Sequence, residues 1–383
     1  MDKPTVQDIF HHFYPAYLDQ YSPSPVQAKV AHNIMNCKTG AYGANVCVCE
    51  DCGFIQIHYN SCRNRCCPMC QAVPKEMWMD ARREDVLDAP YFHLVFTVPD
   101  ILNPVIYSNQ RLLYDALYHA ASSTISELTA DPKHLGAKVG YICILHTWGS
   151  EMNFHPHIHT ILLGGGLASN NQWKDNGENF FLPIRVISKM FRGKYLEELK
   201  RLWEEDKLVF HGTAEKFRNH YTFKELLDSC YGMDWIPHCK KTFNGAQTVI
   251  KYLGKYTHRI AVSNHRIVRM DDDTVTFLVK DYRNEGQWKE LTISGVEFVR
   301  RFLMHVPPRR FVRIRHYGLL CSRTKSQKLT LCRNLLGCKK YLSKLRDMEM
   351  PEILEHLYGI KVCVCKACGG HLGKPQMKMP LRC

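Results

Sequence analysis

Two pairs of side chains in this sequence of 383 residues could do chemistry together. His157 and His159 stand two apart in HPHIHTILL, a stretch rich in strand-forming residues. Alternation along a strand puts both imidazoles on one face, and His155 on the same face. Tyr252 and Tyr256 stand four apart in VIKYLGKYTHR, a spacing that puts two phenols on one side of a helix. Neutral imidazole holds Mn²⁺, Zn²⁺ and other transition ions, and Mg²⁺ more weakly. A phenol, with an ordinary pKa of ~10, is a poor nucleophile until a cation favours the phenolate. Together the pairs could attack a phosphate with a side chain, leaving the protein bonded to one product.

A stable open metal site wants a third protein ligand. His155 on the same face, His93 or His146 from neighbouring strands, and Gln247 before the tyrosines are the candidates, and the sequence does not choose among them. Ile158, Ile161, Leu162 and Leu163 make this a buried central strand with its histidines facing a cleft, and charged chemistry there is costly unless a ligand or metal compensates. The tyrosines carry a basic collar, Lys251, Lys255, His258 and Arg259, around Gly254. An aromatic pair at this spacing is often only core packing, but a core face does not carry that many cations; these could grip the phosphate and its developing charge.

The cysteines form a second chemical group. The chain has 18, and eight fall between Cys37 and Cys70. Nothing at the N-terminus reads as a secretion signal, so they are expected to be metal ligands in a reducing compartment rather than disulfides. Cys49-x2-Cys52 and Cys67-x2-Cys70, 14 residues apart, have nearly the spacing of a two-knuckle structural zinc site. A second zinc would draw on Cys37, Cys62 and Cys66, giving one or two Zn²⁺ in this region. The C-terminal Cys363, Cys365, Cys368 and His371 could hold a further small site of their own.

The net charge is +14, and residues 309 to 346 alone contribute twelve Lys or Arg without one Asp or Glu. Such a cluster displaces the cations condensed on nucleic-acid phosphates. Arg309, Arg310, Arg313 and Arg315, with Arg63 and Arg65 in the cysteine region and Lys251, Lys255 and Arg259 beside the tyrosines, are the expected DNA contacts. No apolar run approaches the ~18 residues of a membrane span, so no membrane partner is expected.

These groups need a scaffold. At roughly 150 residues per domain the length allows two or three domains, and 45% apolar residues suffice for a real core. Helices are expected at Val6 to Leu18, Ser24 to Met35, Lys75 to Leu87, Ile106 to Leu128, Ile187 to Phe210 and Phe243 to Lys255. Strands are expected at Tyr91 to Val98, Lys138 to Trp148 and His155 to Leu163, the last two as an antiparallel hairpin. A further hairpin, Thr274 to Val279 with Lys289 to Ser294, precedes a helix from Gly295 to Leu303. This is an α+β chain in four segments: a helical and zinc-binding region 1–88, a domain 89–268 with a central antiparallel sheet and the tyrosine helix, a hairpin plus basic helical region 269–350, and a cysteine-containing tail 351–383.

Longer blocks sharpen the reading. SCRNRCCPMCQ, FHLVFTVPDILNP, HPHIH followed by three glycines, YLGKYTHRIAVSNHRI and RIRHYGLL occur in this order, and their combination resembles the two-tyrosine HUH-type rolling-circle transposases of the insertion-sequence-91 family over most of the chain. The resemblance implies an HUH endonuclease domain with the histidine motif on a central strand, a catalytic Mg²⁺ or Mn²⁺ on His157 and His159, and Tyr252 and Tyr256 as nucleophiles. It implies a prokaryotic, cytoplasmic, nucleoid-associated transposase that cleaves single-stranded DNA at transposon ends and targets and transfers it through a 5′-phosphotyrosine. In the SCRNR block the expected histidine is Cys66; as both residue types ligate zinc, position 66 is expected to be a ligand. With no GxxxxGK[ST] in the sequence, strand separation falls to host replication or helicase factors. Two other readings compete: a metal-dependent phosphodiesterase using water, with the tyrosines as packing, and a non-enzymatic zinc-ribbon DNA-binding protein, which leaves the histidine strand unexplained.

Overall fold

A computed structural model describes residues 3–176, 182–235, 238–243, 249, 254, 261–281, 284–373 and 377–378. Two N-terminal helices, α1 (Val6–Gln20) and α2 (Pro25–Met35), each begin with a reciprocal capping box, Thr5 with Asp8 and Ser24 with Gln27. A small antiparallel hairpin, β1 (Ala44–Val48) and β2 (Ile55–Tyr59), follows within the cysteine-rich region, and α3 (Ala72–Arg83) leads out of it.

The central sheet is antiparallel throughout. Its body is β3 (Tyr91–Thr97), β4 (Lys138–Trp148) and β5 (Phe154–Leu167). A short β6 (Trp173–Asp175) pairs with the end of β5, and β7 (His238–Phe243) pairs with β3. Between these strands run α4 (Asn103–Ser108), α5 (Gln110–Ala130), α6 (Ile184–Glu204) and α7 (His220–Gly232). A second sheet, β8 (Ile267–Met270), β9 (Thr274–Asp281) and β10 (Gln287–Ser294), runs into α8 (Gly295–Met304). The chain then returns to the central sheet as β11 (Ile314–Gly318), giving the strand order β11-β4-β5-β3-β7. The helices α9 (Lys325–Leu336) and α10 (Met350–Tyr358) and a short β12 (Met377–Lys378) complete the described chain. The α+β class with a central antiparallel sheet is as expected from the sequence, and no helix among the described residues is long and apolar enough to cross a membrane.

The two faces of the central sheet have different fates, set by strand alternation. Phe92, Leu94 and Phe96, Tyr141, Cys143 and Leu145, and Ile158 and Leu162 point to one face and form the largest core with α5, α6 and α7. On α6 the stripe Ile187, Phe191, Tyr195, Leu199, Leu202 supplies its share. The opposite face carries Ile142, Ile144, Ile161 and Leu163, covered by Trp78 and Met79 of α3, Leu329 and Cys332 of α9, and Val249. His157 and His159 belong to this second face, beyond its apolar cover.

Packing groups the chain differently from its linear segments. The helices α1 and α2 share a core with the second sheet and α8, where Phe10 meets Phe302 edge-on at 5.2 Å and Phe277 meets Phe298 at 5.6 Å. In the tail, β12 pairs antiparallel with β1. The strand expected to stop at the glycines continues through Gly164, Gly165 and Gly166. A Cβ on Gly165 would overlap the Trp173 ring, and one on Gly166 the Lys138 carbonyl, so only glycine lets β5 run between those neighbours.

Candidate active site

The strand β5 lies between β3 and β4, and its register decides which side chains meet. His157 sits directly opposite His146 of β4 on one side and Thr97 of β3 on the other; His159 sits between Ile144 and Val95. His146, His157 and His159 are all buried, and their candidate ligand nitrogens lie within 4.8 Å of one another. Of the third-ligand candidates, His146 is the one whose ring nitrogen lies in this group. His155 shares the face but is turned aside, its Nδ1 3.2 Å from Asp100 Oδ1. His93 stands behind the group, its Nε2 2.9 Å from His159 Nδ1. Gln247 lies outside the described residues.

Hydrogen bonds fix the orientation of the rings. His157 Nδ1 donates to the His155 carbonyl at 2.7 Å, which leaves the Nε2 lone pair facing His159 Nε2 at 3.0 Å. Burial pushes the His157 pKa down to about 4, so the ring is neutral in the physiological range, as a metal ligand must be. His146 stacks on Trp148 with ring centroids 4.6 Å apart, which holds its plane. Three nitrogen donors and no carboxylate fit Mn²⁺ or another transition ion better than Mg²⁺.

The cluster opens into a cleft of about 310 Å³ also lined by Lys280 and Trp288 of the second sheet, Arg266 just before β8, and Ser150. Trp288 is half exposed, and Arg266 and Lys280 lie 5.8 and 5.3 Å from its ring centroid. Arg266 is also tied to the backbone, donating to the Leu278 carbonyl at 2.7 Å and the Ser150 carbonyl at 2.6 Å.

Tyr252 and Tyr256, with Lys251, Lys255 and Arg259, lie outside the described residues. Two helical positions flanking Tyr252 are described. Val249 packs in the apolar cover of the histidine-bearing face, and Gly254 is buried so tightly against Met79 that a Cβ there would overlap its sulfur.

The cysteines sort differently from their spacing. Cys67 and Cys70 join Cys37 and Cys62, not Cys49 and Cys52. Cys70 Sγ lies 3.3 Å from Cys37 Sγ and 3.6 Å from Cys62 Sγ. Hydrogen bonds from the neighbouring thiols of Cys62 and Cys67 pull Cys37 down to about 7, and those from Cys37, Cys62 and Cys67 pull Cys70 much further. Cys66 is not in this group; it is buried in a small space with Arg313, Trp148 and His305. The chain turns at Arg63, which has a positive φ of 52°.

Comparison with known proteins bears on all of this. A family model described as "Transposase zinc-binding domain" matches residues 9–98, and one described as "Putative transposase" matches residues 140–328. The chain is 40% identical to "Putative transposase y4qJ" of Sinorhizobium fredii, over 95% of this chain and 93% of that one. It is 30% identical to the transposase for insertion sequence element IS801 of Pseudomonas savastanoi pv. phaseolicola, over 79% of this chain and 72% of that one. The chain belongs to the insertion-sequence-91 family of transposases. Among solved structures, the metal-bound conjugative relaxase TrwC in complex with oriT DNA covers 44% of this chain and is itself covered over 73%, at 13% identity and a TM-score of 0.25.

In this transposase the zinc-binding match spans Cys37, Cys62, Cys67 and Cys70, a four-cysteine group with Cys37 and Cys67 buried and Cys62 and Cys70 partly buried, suited to structural zinc. The basic segment is less free than its charge count implied. Arg315 pairs with Asp115 and stacks over Tyr118, 3.9 Å from the ring centroid. Lys325 pairs with Asp85 at 2.8 Å and Arg346 with Glu84 at 2.7 Å. Arg65 donates to the carbonyls of Phe311 and Pro308. Arg63, Arg309 and Arg310 point to solvent. Sequence reasoning did not find Lys280 and Trp288 as cleft residues. Only the position of their hairpin opposite the histidines reveals them, and an exposed Trp inside a charged strand was the one local signal.

Proposed function

We propose that this transposase cleaves and rejoins single-stranded DNA at the histidine cleft, through a 5′-phosphotyrosine on Tyr252 or Tyr256. The observation that carries this reading is the convergence of His146, His157 and His159 on one open cleft, in a chain of a transposase family. Val249 and Gly254 add support, because they pack on the same side of the sheet as the histidines. A divalent ion, Mn²⁺ or Mg²⁺, held by the three imidazoles would supply Lewis acidity to a scissile phosphate.

The chain's own residues do the rest. His157 keeps its Nε2 free by donating from Nδ1 to a carbonyl, and His93 holds the His159 ring from behind. One tyrosine oxygen attacks phosphorus, the bond to the 3′ oxygen breaks, and that oxygen leaves as the free 3′-OH. The phosphodiester becomes a phosphotyrosine of similar energy, so a later 3′-OH can reverse the step without ATP. The second tyrosine allows a second strand to be taken while the first is held. Lys280 and Trp288 suit the flanking strand, the ammonium for a phosphate and the indole as a stacking face. Host replication or helicase factors would supply the single strand.

The test is cleavage of a labelled single-stranded oligonucleotide carrying the element's end. Protein-linked product that appears with Mn²⁺, disappears with EDTA and returns on adding Mn²⁺ is expected. Cleavage that gives only free 5′-phosphate ends would favour hydrolysis by water.

Two smaller effects follow. Replacing Trp288 with alanine should weaken single-strand binding by about tenfold, since stacking one base is worth roughly 1–3 kcal/mol. Fluorescence anisotropy at fixed salt reads this, and unchanged affinity would remove Trp288 from the DNA path. His93→Ala should lower Mn²⁺ affinity by roughly 10–100-fold, the usual effect of losing a partner that orients a ligating histidine. Calorimetric titration of Mn²⁺ measures it; an unaltered dissociation constant would make the contact with His159 incidental.

A further inference from the structure

We propose that Cys49, Cys52, Cys365 and Cys368 form a second tetrathiolate zinc site, shared between the two ends of the chain. The zinc-binding match stops at residue 98 and so covers only the first two of these ligands. The four sulfurs lie within 4.8 Å of one another, with Cys49 Sγ 3.5 Å from Cys368 Sγ and Cys52 Sγ 3.8 Å from Cys365 Sγ. Thiolates placed about 2.3 Å from a tetrahedral zinc stand about 3.8 Å apart, so the spacing suits an ion at the centre. It is too long for disulfides, whose sulfurs are about 2.05 Å apart.

The two halves are built alike. In each, the residue after the second cysteine is a glycine in the left-handed region, Gly53 at φ 71° and Gly369 at φ 76°. Gly53 N–H donates to the Cys49 carbonyl at 3.0 Å, and Gly369 N–H to the Cys365 carbonyl at 2.9 Å. Cys49 N–H in turn donates to the Phe54 carbonyl, and Cys365 N–H to that of Gly370. Ala367 N–H and Gly370 N–H point at the sulfurs of Cys365 and Cys368, each at 3.4 Å. Such amide-to-sulfur bonds stabilise thiolates, the form that binds metal.

The tail is fitted to this position rather than resting on it. Cys49 bridges to Leu372, Glu50 N–H donates to the His371 carbonyl at 3.1 Å, and Gly373 N–H donates to the Val48 carbonyl at 3.0 Å. A Cβ on Gly370 would overlap the Asp51 carboxylate. Yet among the described residues the apolar core here is only Cys47, Cys49, Cys365 and Leu372, too little to hold a short segment without a staple. Cys363 and His371 stand outside the four-sulfur group; His371 faces Glu50 at 3.4 Å.

Full-length protein purified under reducing conditions should carry two zinc ions per chain by elemental analysis. The double variant Cys365→Ser, Cys368→Ser should carry one, and Cys363→Ser two. Two zinc ions retained by the double variant, or one in wild type and variant alike, would overturn the proposal. A second measurement needs no variant. Chelator removal of zinc from the wild-type protein should loosen the backbone at Lys361 and Lys366, whose side chains are already exposed, and so let trypsin cut there as the first equivalent leaves, because Cys52 and Cys368 are exposed and the other group is not. A tail that stays protected after both equivalents have gone would equally overturn it.

Discussion

His146→Ala should lower Mn²⁺-dependent cleavage of single-stranded DNA by about a thousandfold, as much as His157→Ala. The ion's contribution to a phosphoryl transition state is several kcal/mol, and each 1.36 kcal/mol is a factor of about ten. A buried pair of imidazoles without the third, set opposite in the register by the pairing of His146 with His157, should not retain the ion at ordinary concentrations. His155→Ala should cost less than about tenfold, because His155, although it lines the cleft, lies outside the three-histidine group and hydrogen-bonds Asp100. Initial rates over a range of Mn²⁺ separate the cases: high Mn²⁺ should partly restore His146→Ala by mass action. Equal losses for His146→Ala and His155→Ala would return the third-ligand role to the strand neighbour.

The second large effect concerns the nucleophiles. The double variant Tyr252→Phe, Tyr256→Phe should abolish protein-linked DNA while leaving single-strand binding within about twofold, since only the two hydroxyls are lost. Each single variant should still form one adduct but lose the coupled second transfer, so joined products fall much further than adducts. Denaturing gels with the two strands differently labelled read both quantities. Adduct at full yield in the double variant would exclude both tyrosines.

The local parts of this site were legible in the sequence, and the non-local ones were not. Strand alternation put His157 and His159 on one face, and β4 was placed with both ends as observed. Choosing His146 over His155 requires the β4–β5 register, a contact between segments that no local pattern encodes. The cysteines show the same division. Each CxxC turn was visible, but Cys49 and Cys52 find their partners in Cys365 and Cys368, some three hundred residues away, while Cys67 and Cys70 find theirs in Cys37 and Cys62. Cys66 has the residue type of a ligand but lies outside both four-cysteine groups, in a small space lined also by Arg313, and only the folded arrangement shows this. Charge counting could not show that Arg315, Lys325 and Arg346 are paired, since their partners Asp115, Asp85 and Glu84 come from other elements. The long polar hairpin was found but its role was not, because Lys280 and Trp288 acquire one only by facing the histidines across the cleft.

The central claim is that a cation held by imidazoles and a tyrosine oxygen act on the same phosphorus. Its most direct test is peptide mass spectrometry after incubating the protein with single-stranded DNA and Mn²⁺. The expected result is a nucleotide attached to the peptide containing Tyr252 or Tyr256, absent with EDTA and absent from His157→Ala. Cleaved DNA with no modified tyrosine peptide, or an adduct formed equally well without the ion, would contradict the account.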